Sequence, residues 1–235
     1  MRPRAVTALA CAVAALLTWS GAALAGPPPC TVDARVVALD PDRDPELVLV
    51  DPAWRLPPGY APSDLVPVAR AGFASEALVR ERIIYDLRAL RLAAEAAGVR
   101  LAVQSAYRSE AYQAQVHASW VDLLGAERAA EVSARPGHSE HQLGTAIDLR
   151  AADGPPAWEL DDWATTPEGA WVAEHAAAFG FVVSYPRNAR DTSCYDYEPW
   201  HLRWVGRQIA AQVAESGLAY RAWLYLHHPP EVLSP

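Results

Sequence analysis

The chain has 235 residues, a formal net charge of −8, and 51% hydrophobic against 20% charged residues. That is enough apolar material for one domain with a real core, which excludes intrinsic disorder. The acidic balance excludes a nucleic-acid binder that works through a basic surface. All 20 basic residues are arginine, read as compositional bias, and the 20 prolines point to rigid connecting loops.

Arg2 and Arg4 precede an apolar run from Ala5 to Leu17, and Ala23-Leu24-Ala25 fits the small-x-small pattern of a secretory cleavage site. Residues 1–25 are therefore expected to be a signal peptide. The run is short for a membrane span, and no other segment is long and apolar enough to cross a bilayer. Cleavage removes two arginines and no acid, taking the net charge from −8 to −10. The mature chain keeps Cys30 and Cys194, an even pair in an oxidising compartment, so a Cys30–Cys194 disulfide is expected. The expected location is secreted, periplasmic or on the exterior of the cell envelope, as a monomer.

Residues 26–45, rich in Pro, Asp and Arg, read as an extended lead-in to a single domain over 46–235. Leu47–Val50 is a short apolar strand candidate, and 52–69, with five prolines, reads as an ordered loop. Ser75 is a plausible helix N-cap, followed by apolar residues at near-helical spacing to Gly98. Leu101–Val103 reads as a strand, Ser109 to Gly125 as a helix, 134–144 as loop and Ala146–Leu149 as a strand. A helix is expected from Pro167 to Phe179, strands at 181–185 and 200–205, and a last helix from Gly206 to Ser216. Helices early and late with short strands between define an α+β class: a small central antiparallel sheet packed by helices.

Three segments carry chemistry: Ser105-Ala106-Tyr107-Arg108-Ser109, the run 139–148 (Ser-Glu-His-Gln-Leu-Gly-Thr-Ala-Ile-Asp), and 197–203 (Tyr-Glu-Pro-Trp-His-Leu-Arg). A catalytic zinc site takes three ligands from imidazole and carboxylate and keeps one position open. His141 and Asp148 flank a glycine turn into a strand and can converge, and His201 can complete the set. Glu198 stands three residues before His201. On a regular strand those positions face opposite ways, so Pro199 implies an irregular turn that brings both to one cavity. A lone histidine is more often a satisfied core residue than a ligand, so each segment alone says little. His138 stands three residues from His141 and is left out. His117 and His175 fall on expected helices, and His227 and His228 in a proline-bounded tail.

Together the segments resemble the VanY-type D-alanyl-D-alanine carboxypeptidases, zinc peptidases of the hedgehog/DD-peptidase fold. Residues 139–148 match the family's Ser-x-His-x-x-Gly-x-Ala-x-Asp, residues 198–201 its Glu-x-Trp-His, and residues 107–109 its Tyr-Arg-Ser, with Gln113 at the usual following glutamine. Residues 46–68, with Val50, Leu56, Tyr60, Pro62 and Leu65, look like its N-terminal signature. The resemblance covers about residues 46–206. It implies Zn²⁺ held by His141, Asp148 and His201, and Glu198 as the base that activates water and then protonates the leaving amine. It also implies Arg108 on the oxyanion or the substrate, and Ser139 and Gln113 shaping the substrate pocket or supporting the metal ligands. The implied partner is a peptidoglycan stem peptide ending in D-Ala-D-Ala. L,D-carboxypeptidase, D,D-dipeptidase and wall endopeptidase use the same ligands, and a non-catalytic zinc-containing binding module stands as the reading of another class.

Overall fold

The structure, a computed structural model, describes residue 27 and residues 29–230. The expected signal peptide at 1–25 lies outside the described residues. In chain order, β1 (Arg35–Val36) pairs in parallel with β2 (Trp54–Arg55), and β3 (Leu65–Pro67) pairs antiparallel with β4 (Leu78–Arg80). Then come α1 (Ile84–Ala96), β5 (Leu101–Ser105), α2 (Glu110–Leu124), α3 (Ala126–Val132), β6 (Ala146–Ala151), α4 (Pro167–His175), β7 (Phe181–Val183), α5 (Arg190–Ser193), β8 (His201–Trp204), α6 (Arg207–Ser216) and α7 (Tyr220–His227). The central sheet is antiparallel with strand order β5-β6-β8-β7. This is the expected α+β architecture.

Strand alternation divides the sheet into an apolar and a chemical face. Ile147, Leu149 and Leu202 join Leu87, Leu90 and Ala94 of α1 in the main core. Asp148, His201 and Arg203 point the other way, toward a second core that includes Val48, Leu56, Leu143, Val182, Tyr220 and Trp223. Ser109 caps α2 by accepting the Tyr112 N–H at 3.1 Å, and Thr166 caps α4 through the Gly169 N–H, with Pro167 as its first residue.

Several expectations are corrected. The first long helix begins at Ile84, not near Ser75, because residues 78–80 are drawn into β4. There the Arg80 side chain reaches Asp64 at 2.7 Å and the Pro41 carbonyl at 2.7 Å, which requires extended backbone. Leu47–Val50 forms no strand, though Val48, Leu49 and Val50 are buried. Its neighbourhood is satisfied by a side chain instead, with Arg203 donating to the carbonyls of Pro45 (2.7 Å) and Val48 (2.6 Å). The 52–69 loop contributes β2 and β3, and residues 134–144 contain a 3₁₀ turn at Glu140–Leu143. Within the expected lead-in, Arg35–Val36 pairs as β1 and Val37 is buried. Three helices have no counterpart among the expected elements, α3, α5 and α7. His227 and His228 are exposed, and the segment read as a proline-bounded tail is helical up to His227, the last residue of α7.

Cys30 and Cys194 form the expected disulfide, closing a separation of 164 residues. Chain entropy makes such a long closure worth most, about 2–5 kcal/mol. Denaturant unfolding with and without reductant is expected to differ by that amount; equal midpoints would remove the disulfide from the stability of the fold.

Candidate active site

The site is built by one cross-strand pair and one turn. Asp148 in mid-β6 stands opposite His201, the first residue of β8, so both side chains leave the sheet on the same face. His141 enters from the 3₁₀ turn at Glu140–Leu143. The Ser139 hydroxyl accepts the His141 N–H at 3.3 Å, and Gly144 closes the turn at φ +72°. A Cβ at Gly144 would meet Arg80 Cγ at 2.9 Å and Leu65 Cδ2 at 3.0 Å, so that position needs glycine for both space and backbone conformation.

The hydrogen bonds decide which ring nitrogens face inward. His141 donates from Nδ1 to the Ala106 carbonyl at 2.7 Å, which leaves Nε2 for the site, 3.3 Å from Asp148 Oδ2. His201 donates from Nδ1 to Asp148 Oδ1 at 3.0 Å and from Nε2 to Glu140 Oε2 at 2.9 Å. Ligand atoms of His141, Asp148 and His201 all lie within 4.8 Å of one another, and all three residues are buried. Two imidazoles with their outer N–H groups fixed and one carboxylate make the donor set that zinc takes.

Glu140 is the functional residue the sequence reading missed. Its buried carboxylate also accepts from Arg203 Nη1 at 2.8 Å and from the Ser184 hydroxyl at 2.6 Å. Arg203 is fully buried, with its guanidinium carbon 5.0 Å from the centre of the Tyr220 ring. A charged arginine two residues beyond a ligand histidine, on the same face of a strand, was the available signal.

The charges separate the two histidines. Burial, reinforced by Arg108, lowers His141 to about 4, so it is neutral. Burial also works against a charge on His201, but hydrogen bonds to Asp148 and Glu140 prevail and raise it to about 10. Burial pushes Asp148 up, yet the two histidines hold it well below the usual carboxylate range. Glu198 is pushed up to about 7, chiefly by burial.

Glu198 sits in the expected irregular turn. Its N–H donates to the Tyr185 carbonyl at 3.0 Å, and its own carbonyl accepts the His201 N–H at 3.1 Å. It lines a cavity of about 540 Å³ together with His141, Asp148, His201, Arg108 and Ser139. Arg108 is fastened by Gln113 Oε1 on Nε at 2.9 Å and by the Ser105 hydroxyl on Nη1 at 3.0 Å. Its Nη1 stands 3.8 Å from Asp148 Oδ2. Gln113 is fully buried, outside the cavity lining, and its amide also donates to the Ala134 carbonyl at 2.7 Å. Gln113 therefore holds Arg108 in place, the supporting one of its two expected roles. Ser139 lines the cavity and braces the His141 turn. Trp200 packs against the main core and borders the cavity. His138 is tied to the Asp51 carbonyl at 2.8 Å, and His117 and His175 to carbonyls of Ser133 and Trp171, away from the site. Cys194 ends α5 at φ +73°, four residues before Glu198, and the following loop is held by Asp196, which meets Arg128 at 2.6 Å.

A buried His-Asp-His set beside a carboxylate and a fixed arginine, on a small antiparallel sheet, defines a metallopeptidase site. Residues 76–207 match the VanY family model, described as D-alanyl-D-alanine carboxypeptidase, and the chain belongs to that family. YodJ of Bacillus subtilis, named as a carboxypeptidase, is 36% identical over 192 residues, covering 78% of this chain and 69% of that one. The structure of the LdcB LD-carboxypeptidase is 31% identical with a TM-score of 0.70, covering 85% of this chain and 94% of that one. A VanY D,D-pentapeptidase mutant from a VanB-type resistance cassette, in complex with Zn(II), is 28% identical with a TM-score of 0.65, covering 76% and 98%.

Two outcomes follow from the site. Before metal binds, His201 is an imidazolium while His141 is neutral and Asp148 ionised, so a cation must displace one proton, from His201 Nδ1. Calorimetry of zinc binding to Glu198→Gln at about pH 6, in buffers of different ionisation enthalpy, is expected to read one proton released per ion; zero would show His201 already neutral. Glu140→Gln is expected to weaken zinc binding roughly 10–100-fold, and an unchanged zinc affinity would remove Glu140 from the support of the site.

Proposed function

We propose that the chain is a secreted zinc-dependent D,D-carboxypeptidase that removes the C-terminal D-alanine from peptidoglycan stem peptides ending in D-Ala-D-Ala. The observation that carries this reading is Glu198, a half-buried carboxyl beside the three expected ligand residues in one cavity. A purely structural metal site has no use for a base there, which weighs against a non-catalytic module. The Cys30–Cys194 disulfide supports export to an oxidising compartment, and among the described residues no helix is long and apolar enough to cross a membrane.

His141, Asp148 and His201 would hold the zinc. When bound, zinc supplies Lewis-acid polarisation of the water nucleophile and the scissile carbonyl. Glu198 takes a proton from the attacking water and returns it to the nitrogen of the departing D-alanine. A group whose pKa stands near the working pH can do both. Arg108, permanently charged and fixed by Gln113 and Ser105, is placed to hold either the oxyanion or the substrate carboxylate. The likeness to LdcB favours L,D-cleavage as the second reading.

Mass spectrometry of muropeptides after incubation with the zinc-loaded protein distinguishes the readings. Loss of one alanine from a pentapeptide, blocked by a chelator, is the expected result. Loss of the terminal residue from a tetrapeptide alone would replace D,D- with L,D-cleavage, and no cleavage of any wall peptide would return weight to a binding module. Glu198→Gln is expected to lower kcat roughly 10²–10⁴-fold while retaining zinc; more than a tenth of the wild-type rate would sink Glu198 as the base. Since the base acts ionised, activity is expected to fall as pH drops through its pKa. That limb should lie at or below about 7, because a bound cation favours the carboxylate.

A further inference from the structure

The ligand residues are flanked by a group on each side. Arg108 lies beside Asp148, as described. Tyr185, just beyond β7, lies against the other end of the set. Its ring stacks on His201, with centroids 4.8 Å apart and planes 26° from parallel. Tyr195 packs edge-on against it at 5.0 Å. The Tyr185 carbonyl accepts the Glu198 N–H, so one residue touches both a ligand histidine and the turn that carries the base.

Tyr185 is half-buried and lines the same cavity. Among the described residues its side chain makes the two ring contacts and no hydrogen bond. Phenols in packed surroundings ordinarily find a partner for the hydroxyl. A phenol clamped by two rings that forms no hydrogen bond within the protein is a fixed donor available to what enters the cavity.

We propose that Tyr185 is a further catalytic residue of this site, its hydroxyl donating a hydrogen bond to the oxyanion that develops at the scissile carbonyl. The inference rests on the hydrolytic reading above. As the water oxygen bonds to the carbonyl carbon, the π pair moves onto the carbonyl oxygen, and the Tyr185 O–H donates to it without losing its proton. When the C–N bond breaks, the pair returns to re-form the carbonyl, and the leaving nitrogen takes its proton from Glu198. Water is the only co-reactant. A donor of this kind acts mainly on kcat, because it meets its full partner charge only after attack.

Tyr185→Phe keeps the ring and both ring contacts and removes only the hydroxyl. On a pentapeptide substrate it is expected to lower kcat roughly 10²-fold with KM within about twofold. Zinc affinity and melting temperature are expected to stay at wild-type values. Affinity for a phosphinate dipeptide analogue, which carries a tetrahedral anionic centre, is expected to fall by the same factor as kcat/KM. An unchanged kcat overturns the proposal. So does a fall in kcat accompanied by an equal fall in zinc affinity, which would make Tyr185 only a support for His201. Failure of the zinc-loaded wild-type protein to cleave any wall peptide overturns the hydrolytic reading itself and this inference with it, and that failure is seen before any variant is made.

Discussion

The site depends on a carboxylate that belongs to neither the ligand set nor the base. Glu140 is buried between a ligand histidine and a fully buried arginine, and it joins parts of the chain that are far apart in sequence. Burying Arg203 costs several kcal/mol unless its donors are met. Its two terminal nitrogens are met by Glu140 and by the carbonyls of Pro45 and Val48, while Nε is buried without a partner. The N-terminal segment, the 3₁₀ turn and β8 must therefore all be in place before His201 has an acceptor on its outer nitrogen. That acceptor leaves Nδ1 as the nitrogen facing Asp148 and His141. The orientation of one ligand is thus a property of the assembled fold, not of the strand that carries it.

The same buried charges explain why two histidines under 5 Å apart behave oppositely. Their rings meet edge to face at 4.8 Å, and both are shielded from water. His141 hydrogen-bonds a neutral carbonyl and has Arg108 nearby, so burial wins and it stays neutral. His201 stands between two carboxylates, and their hydrogen bonds outweigh burial. In the metal-free protein the proton on His201 compensates carboxylates that would otherwise repel each other across the ring. A divalent cation held by His141, Asp148 and His201 would take over that compensation with a larger charge. The cavity is in this sense pre-charged for a cation.

The chemistry was legible where it is local. Residues 139–148 contain two ligands and the glycine that lets the turn close, and the irregularity imposed by Pro199 correctly brings Glu198 and His201 to one cavity. What failed to show was set by distant contacts. Ser75 has the type of a helix cap, but its hydroxyl takes the Ala77 N–H while β3 draws residues 78–80 into a strand. Leu47–Val50 has the composition of a strand, yet it meets an arginine side chain and no neighbouring strand. Gln113 was legible as part of the site but not as the holder of Arg108, because the distinction between touching substrate and fixing an arginine exists only in three dimensions. Glu140 was passed over because it precedes a more conspicuous ligand, and its partners at 184 and 203 lie more than 40 residues away.

The placement of two of the expected ligands, Asp148 and His201, on a sheet and of the proposed base on a turn follows from what each would have to do. Metal ligands need fixed mutual distances, and the Asp148–His201 cross-strand pair is set by ladder hydrogen bonds on both sides. The base has to reach a water oxygen and then a leaving nitrogen, two positions that cannot coincide. A turn residue anchored only through its main chain, by Tyr185 at one end and His201 at the other, retains side-chain freedom that a ladder position would lose. The price is that the turn needs support from elsewhere. The disulfide at Cys194 and the Asp196–Arg128 ion pair supply it from outside the sheet. The bridge thereby also braces the segment on which the proposed proton transfer depends.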